Sequence, residues 1–188
     1  MSSHDTHGAR LITSTIDYYA AEAPDKIYAS VPRSEDLSDG FFDVSYKQFA
    51  DAINHASWWL DSMLGKCNGS FDTFAYAGPK DLRYPVLAVA ATKVGRKILL
   101  PSSFVTAAAQ IHLLEATGSQ AYLCAASNRA DVELLVKGRS SMRVIDTPDD
   151  CGWLIAQDAK HYPYTKTWEE AKNDPWIIFH TSGTTGKS

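Results

Sequence analysis

The sequence lacks the features of a membrane, secreted or nucleic-acid-binding protein. Its longest apolar stretch, residues 85–91, is far shorter than the roughly 20 residues of a membrane-spanning helix. The first ten residues contain no apolar signal core, and no basic block appears in a chain of net charge -4. We therefore expect a cytoplasmic protein that binds neither a membrane nor nucleic acid.

Cysteine is also scarce, and its spacing excludes two common scaffolds. Cys67, Cys124 and Cys151 are odd in number and far apart, so neither a disulfide framework nor a zinc site is indicated. The six histidines are scattered, and the sequence predicts no metal site. Cys124 lies in the apolar run AYLCA, which favours a buried thiol. With 45% hydrophobic and 21% charged residues, the remaining composition is that of a globular domain.

The first strong structural pattern is an amphipathic helix after residue 45. Ser45 and Gln48 have the spacing of a capping box at a helix start. Apolar residues then recur every three or four positions: Tyr46, Phe49, Ile53, Ala56, Leu60 and Met63. The pattern predicts a core-facing helix that ends near Gly65.

From about residue 43 onward, strand-like and helix-like patterns alternate. Apolar runs predict strands at residues 73–77, 97–100, 121–124, 143–145 and 176–179. Helices are expected at 82–94, 106–117 and 131–137, the second with Ile111, Leu114 and neighbouring alanines facing inward. Before them we expect a helix at 11–23, a strand at 27–31 and an acidic loop at 36–40, and residues 147–174 read as a partly helical surface connection. The alternation predicts an α/β fold, a mostly parallel sheet with helices on both faces.

The richest chemical signal is a tract of small and hydroxyl residues after the last predicted strand. Beyond His180 the chain reads Thr181, Ser182, Gly183, Thr184, Thr185, Gly186, Lys187 and Ser188. Glycines allow backbone N–H groups to approach an anion, hydroxyls donate further hydrogen bonds, and the lysine adds positive charge. We interpret residues 181–187 as a cradle for nucleotide phosphates.

Two other interpretations of the tract stay open at this point. Gly186, Lys187 and Ser188 match the end of a Walker A loop of nucleotide hydrolases. The required earlier glycine is missing, because Thr181 occupies its position and Gly183 lies only three residues before Gly186. A Gly/Ser/Thr linker in a noncatalytic product is the other alternative.

The tract TSGTTGK resembles the phosphate-binding signature of adenylate-forming enzymes, which include acyl and aryl ligases and nonribosomal peptide synthetase adenylation domains. Ser188 stands where that family usually has proline, and the family's closing lysine would come one residue later. Three more segments resemble the family in the expected order: VSYKQF at 44–49, KVGRKILLP at 93–101 and TWEEAKNDP at 167–175. The last is most similar to fungal synthetase-like reductases.

The resemblance implies that residues 11–188 form the N-terminal part of an AMP-binding domain, preceded by a flexible N-terminus at 1–10. It implies ATP and Mg²⁺ as cofactors, a carboxylic acid substrate, and acyl-AMP transfer to a thiol, such as CoA or phosphopantetheine on a carrier. Residues 181–187 would contact the β- and γ-phosphates. The family's catalytic residues follow this segment, so no catalytic residue or metal ligand is assigned here, and we expect residues 1–188 alone to lack adenylation activity. Carrier or reductase domains would lie downstream.

Overall fold

The computed structural model describes residues 8–34, 36–155 and 158–180. Seven helices and seven strands occur in these ranges. The helices are α1 Ile12–Glu22, α2 Tyr46–Leu64, α3 Arg83–Lys93, α4 Ala107–Ala116, α5 Arg129–Leu135, α6 Asp150–Ile155 and α7 Trp168–Ala171. The strands are β1 Ile27–Pro32, β2 Phe41–Ser45, β3 Thr73–Ala77, β4 Lys97–Leu99, β5 Ala121–Cys124, β6 Arg143–Asp146 and β7 Ile177–Ile178. Residues 181–188 and most of the N-terminus expected to be flexible lie outside the described ranges.

The centre of the fold is a parallel sheet with the strand order β6-β5-β3-β4-β7. Every neighbouring pair in it is parallel, so all five strands end at the same edge. A separate antiparallel pair, β1 with β2, precedes α2. The predicted α/β class with a mostly parallel sheet is therefore confirmed.

Alternate side chains of the strands feed two apolar cores, one on each face. Phe74, Tyr76, Ile98 and Leu123 pack on the face that also receives Phe49 of α2 and residues of α3. Ala75, Leu99, Tyr122 and Cys124 pack on the opposite face against Leu114 of α4 and Val132 of α5. Successive strand residues point to opposite faces, so both faces of these strands must be covered. Helices lie on both faces, as the sequence predicts.

Helix α2 is the framework of the first face, and its start follows the predicted chemistry. The Ser45 hydroxyl accepts a hydrogen bond from the Gln48 N–H, and the Gln48 side chain accepts one from the Ser45 N–H. At the other end, the Arg96 guanidinium donates to the carbonyls of Leu64 and Gly65 at 3.1 and 2.9 Å. A cation at the last carbonyls satisfies acceptors that an isolated helix would leave exposed.

A buried lysine joins three helices on the same face. The side chain of Lys93 is 0% exposed, and its ammonium lies 2.8 Å from Asp17 Oδ1 and 3.0 Å from Asn54 Oδ1. Burial lowers the pKa of Lys93, and the Asp17 carboxylate opposes that shift. The same Asn54 oxygen also accepts the backbone N–H of Tyr162, so the network connects α1, α2 and α3 to the segment before α7.

Three details of the sequence-based prediction are wrong. Ala107 and Ala108 are exposed, because the first turn of α4 projects beyond the core and only Leu114 of the helix is buried. Met63 is 40% exposed, because in the last turn of α2 it is the neighbouring Leu64 that packs against the core. The stretch 147–174 is more than a surface connection, since Trp153 of α6 is 5% exposed and packs against Trp59 at 5.8 Å between ring centroids.

Candidate functional site

The chain's polar loops gather at the carboxyl edge of the parallel sheet. Gly78 follows β3, Ser102 lies three residues beyond β4, Thr147 follows β6 and His180 lies two residues beyond β7. The connection from β3 passes over the first face, through α3, whereas those from β4 and β5 pass over the opposite face. Such a reversal opens a crevice at the carboxyl ends of parallel strands, where α/β proteins bind ligands.

The turn after β3 requires glycine. A Cβ on Gly78 would lie 2.1 Å from the Tyr76 hydroxyl oxygen and 2.7 Å from Tyr76 Cζ. The Tyr84 hydroxyl also forms two hydrogen bonds with the backbone of Gly78. It accepts from the Gly78 N–H at 3.3 Å and donates to the Gly78 carbonyl at 3.1 Å. Two tyrosines therefore hold this turn close to the sheet edge.

Tyr76 itself is fully buried at the same edge. Burial raises the pKa of Tyr76, and an interaction of its hydroxyl with the Thr147 side chain opposes that shift. Its ring lies against Tyr84 with centroids 4.8 Å apart in an edge-on arrangement. The ring therefore packs under Gly78, and its burial favours the neutral phenol.

A cavity of about 480 Å³ opens beside this turn. It is lined by Gly78, Tyr84 and Tyr122 and by residues of the loop after β4, of α4 and of α5. Asp131 is the charged side chain among its described lining residues. An anionic phosphate or carboxylate would be repelled there, so this cavity does not have the chemistry of a phosphate cradle.

The candidate phosphate tract itself lies outside the described residues. Thr181, Ser182, Gly183, Thr184, Thr185, Gly186 and Lys187 are therefore located only by their attachment to His180. Strand β7 pairs in parallel with β4, with Ile177 opposite Ile98 and Ile178 opposite Leu99. The Trp176 indole donates to the Ala88 carbonyl of α3 at 2.6 Å and anchors the segment before the strand. The chain consequently reaches the carboxyl edge at residue 180.

One contact at this edge is not predicted by any sequence pattern. The backbone N–H of Ser102 donates to Nε2 of His180 at 2.8 Å, across 78 residues of sequence. In the sequence, His180 is only a single residue between the predicted strand and the tract. The one sequence signal that could have drawn attention to His180 is its position, as a polar aromatic residue directly between an apolar run and a glycine-rich tract.

The described ranges contain neither a metal-binding cluster nor a membrane-spanning helix. No group of three or more His, Cys, Asp or Glu side chains is arranged there to hold a metal ion. No helix in the same ranges has the length and apolar character needed to cross a bilayer. The tract that the sequence predicts to contact ATP phosphates, residues 181–187, lies outside these ranges.

Open parallel α/β sheets bind their ligands at the carboxyl edge, and the loops described above lie at that edge. The profile of the AMP-binding enzyme family matches residues 17–188. The chain belongs to this family of AMP-binding, adenylate-forming enzymes.

Two relatives in sequence are fungal proteins. The chain is 38% identical over 181 residues to a carboxylic acid reductase of Neurospora crassa, covering 96% of this chain and 17% of the relative. It is 35% identical over 185 residues to the isocyanide synthase-NRPS hybrid crmA of Aspergillus fumigatus, covering 96% of this chain and 12% of the relative. The chain thus spans less than a fifth of the length of either protein.

Solved structures support the fold. The N-terminal domain of FACL13 from Mycobacterium tuberculosis superposes with a TM-score of 0.71 at 20% identity, covering 93% of this chain and 42% of that domain. The N-terminal subdomain of Klebsiella oxytoca NpsA, in complex with 3-hydroxybenzoyl-AMSN, gives a TM-score of 0.66 at 14% identity. The alternative of a Walker-type nucleotide hydrolase is not supported, because the family match runs through the tract itself.

Proposed function

We propose that the chain supplies the phosphate-facing part of an enzyme that adenylates carboxylic acids. The acid's carboxylate attacks the α-phosphorus of ATP, pyrophosphate leaves, and the acyl-AMP is passed to a thiol. The observation that supports the proposal is the β4–β7 pairing, which brings His180, the residue before the tract 181–187 in the sequence, to the sheet's carboxyl edge. Family membership supports the same reaction class.

The proposed contribution of the tract is electrostatic. Departing pyrophosphate gains negative charge, which backbone N–H groups, hydroxyls and a lysine stabilise. Thr181, Ser182, Thr184 and Thr185 donate to phosphate oxygens, Gly183 and Gly186 permit the close approach, and Lys187 adds positive charge. Mg²⁺, which prefers phosphate oxygens, would bind together with ATP and offset the negative charge of its phosphates.

The acceptor and the cellular location belong to the same proposal. The relatives' names include a carboxylic acid reductase and an NRPS hybrid, which favours a phosphopantetheine thiol on a carrier as the acceptor, with carrier or reductase domains on the same polypeptide. We place the enzyme in the cytoplasm, where ATP is available. A noncatalytic product is the remaining alternative, and titration with ATP and Mg²⁺ separates a surviving site from a lost one.

The direct test is ATP–pyrophosphate exchange by the whole protein that carries this chain, with a panel of carboxylic acids. Gly183→Ala is expected to lower kcat/KM for ATP at least about tenfold, equivalent to about 1.4 kcal/mol, because a Cβ obstructs the backbone's approach to an anion. The matched control is Gly138→Ala, where a Cβ meets nothing within 4 Å. Equal exchange rates in the two variants, or no acid-dependent exchange at all, would refute the proposal.

A further inference from the structure

The hydrogen-bond ladder between β4 and β7 has a regular spacing. The Ile98 N–H donates to the Trp176 carbonyl at 3.0 Å, and the Leu100 N–H donates to the Ile178 carbonyl at 3.2 Å. Parallel strands repeat such bonds every two residues on each strand. The next donor in this series is Ser102, and the next acceptor is the backbone carbonyl of His180.

The side chain of His180 occupies that next position. The Ser102 N–H donates to the imidazole Nε2 at 2.8 Å, where a continued ladder would use the backbone carbonyl. Nε2 of an imidazole can accept a hydrogen bond through its ring lone pair, as a backbone carbonyl does. The imidazole therefore ends the strand pairing while keeping residue 180 attached to the sheet edge.

Ser102 is well placed to receive this contact. Pro101 has no backbone N–H, so Ser102 is the first residue after Leu100 that can donate. The Ser102 hydroxyl in turn accepts the Phe104 N–H at 3.2 Å, which shapes the loop that leads into α4. One side-chain contact thus couples the end of β7 to the loop beside the cavity.

We propose that His180 is a positioning residue that fixes the origin of the phosphate-binding tract against the β4–α4 loop. The inference rests on the proposed function for its catalytic meaning, whereas the contact itself stands on the described geometry. Consecutive Cα atoms are about 3.8 Å apart, so holding residue 180 also restricts where Thr181 begins. Donors held in place before the reaction stabilise developing charge more effectively than mobile ones.

The structural arm of the test is hydrogen exchange at the Ser102 amide in the full chain. His180→Phe keeps a ring but removes the acceptor, and it should accelerate exchange about fivefold to tenfold, the loss expected for one hydrogen bond. His180→Gln places an amide oxygen near the position of Nε2 and should restore most of the protection. His112→Phe, on the exposed side of α4, is the matched control and should leave the amide unchanged. If His180→Phe does not fold, His180→Asn, with a shorter side chain, serves as the second loss variant.

The functional arm is pyrophosphate exchange by the whole protein. His180→Phe is expected to lower kcat/KM for ATP about fivefold to tenfold with the KM for the acid unchanged, and His180→Gln is expected to recover it. Unchanged Ser102 protection in His180→Phe, or a failure of His180→Gln to rescue ATP kinetics, would overturn the positioning role. If the unsubstituted protein shows no pyrophosphate exchange, the proposed function and the positioning role both fail. Hydrogen exchange at the Ser102 amide still tests the contact with His180 in that case.

Discussion

The Gly78→Ala substitution tests how tightly the carboxyl edge of the sheet is packed. The new Cβ would stand 2.1 Å from the Tyr76 hydroxyl oxygen and 2.7 Å from Tyr76 Cζ. To reach an ordinary contact of 3.4 Å, the oxygen would have to move by about 1.3 Å and Cζ by about 0.7 Å. Because the ring is fully buried, it has little room for this movement.

The size of the effect follows from two opposing contributions. Overpacking a buried site costs about 1–3 kcal/mol, whereas Gly→Ala at a compatible backbone position gains about 0.4–1 kcal/mol through the unfolded state. We expect Gly78→Ala to lower the free energy of unfolding by about 1–2 kcal/mol. Gly138→Ala has open space around its Cβ and should raise the free energy of unfolding by about 0.5 kcal/mol.

Urea unfolding followed by far-UV circular dichroism measures both changes, and a double-mutant cycle identifies the clash. In a Tyr76→Phe background the closest contact disappears but Cζ remains at 2.7 Å, so the cost of Gly78→Ala should fall by about 1 kcal/mol without vanishing. Equal effects of Gly78→Ala and Gly138→Ala, or strict additivity with Tyr76→Phe, would refute the packing argument.

Four further predictions concern other parts of the fold. Lys93→Met should destabilise the chain by about 3 kcal/mol in urea unfolding, because it leaves the Asp17 carboxylate without its buried partner. Because burial lowers the pKa of Lys93 in the folded state, the unfolded state holds the proton more tightly. The lysine's contribution to stability should therefore rise as the pH increases from this lowered pKa to 10.5, the ordinary value of an unfolded lysine. Ser45→Ala should cost about 1 kcal/mol through loss of the α2 cap, also by urea unfolding. Cys67 should react with iodoacetamide well before Cys124, by peptide mass spectrometry, because burial raises the pKa of Cys124 to about 11.

Each of these has a matched control and a contrary outcome. Lys97→Met, at a partly exposed position, should change stability by less than about 0.5 kcal/mol, and a similar loss at Lys93 and Lys97 would contradict the buried-pair argument. Ser62→Ala lies in the last turn of α2, away from the cap, and an equal cost there would contradict the capping argument. Labelling of Cys124 in the folded chain at the rate of Cys67 would show that the β5 thiol is accessible.

The regular elements were predictable because their signals are local. The capping pair Ser45 and Gln48 and the apolar stripe after them define α2, and the structure places its start as predicted. The buried run at residues 73–77 coincides with β3. Such features depend on periodicity and cap chemistry within a few residues, which a sequence displays directly.

The contacts that shape the candidate site were not predictable, because they join distant residues. The Ser102–His180 bond spans 78 residues and depends on β4 and β7 being neighbours, which no local pattern specifies. The clash that requires Gly78 depends on the rotamer of Tyr76 across the end of one strand. The assignment of residues 181–187 to phosphate binding comes from the sequence and remains a prediction, since the tract lies outside the described residues.

The most direct test of the central claim is hydrogen exchange of the whole protein with and without a nonhydrolysable ATP analogue and Mg²⁺. If the tract cradles the phosphates at the carboxyl edge, peptides covering residues 176–188 and 100–104 should gain protection. Peptides at the opposite edge, covering residues 66–72 and 117–121, should not change. Protection confined to that opposite edge, or no protection in peptides spanning 181–187, would contradict the account.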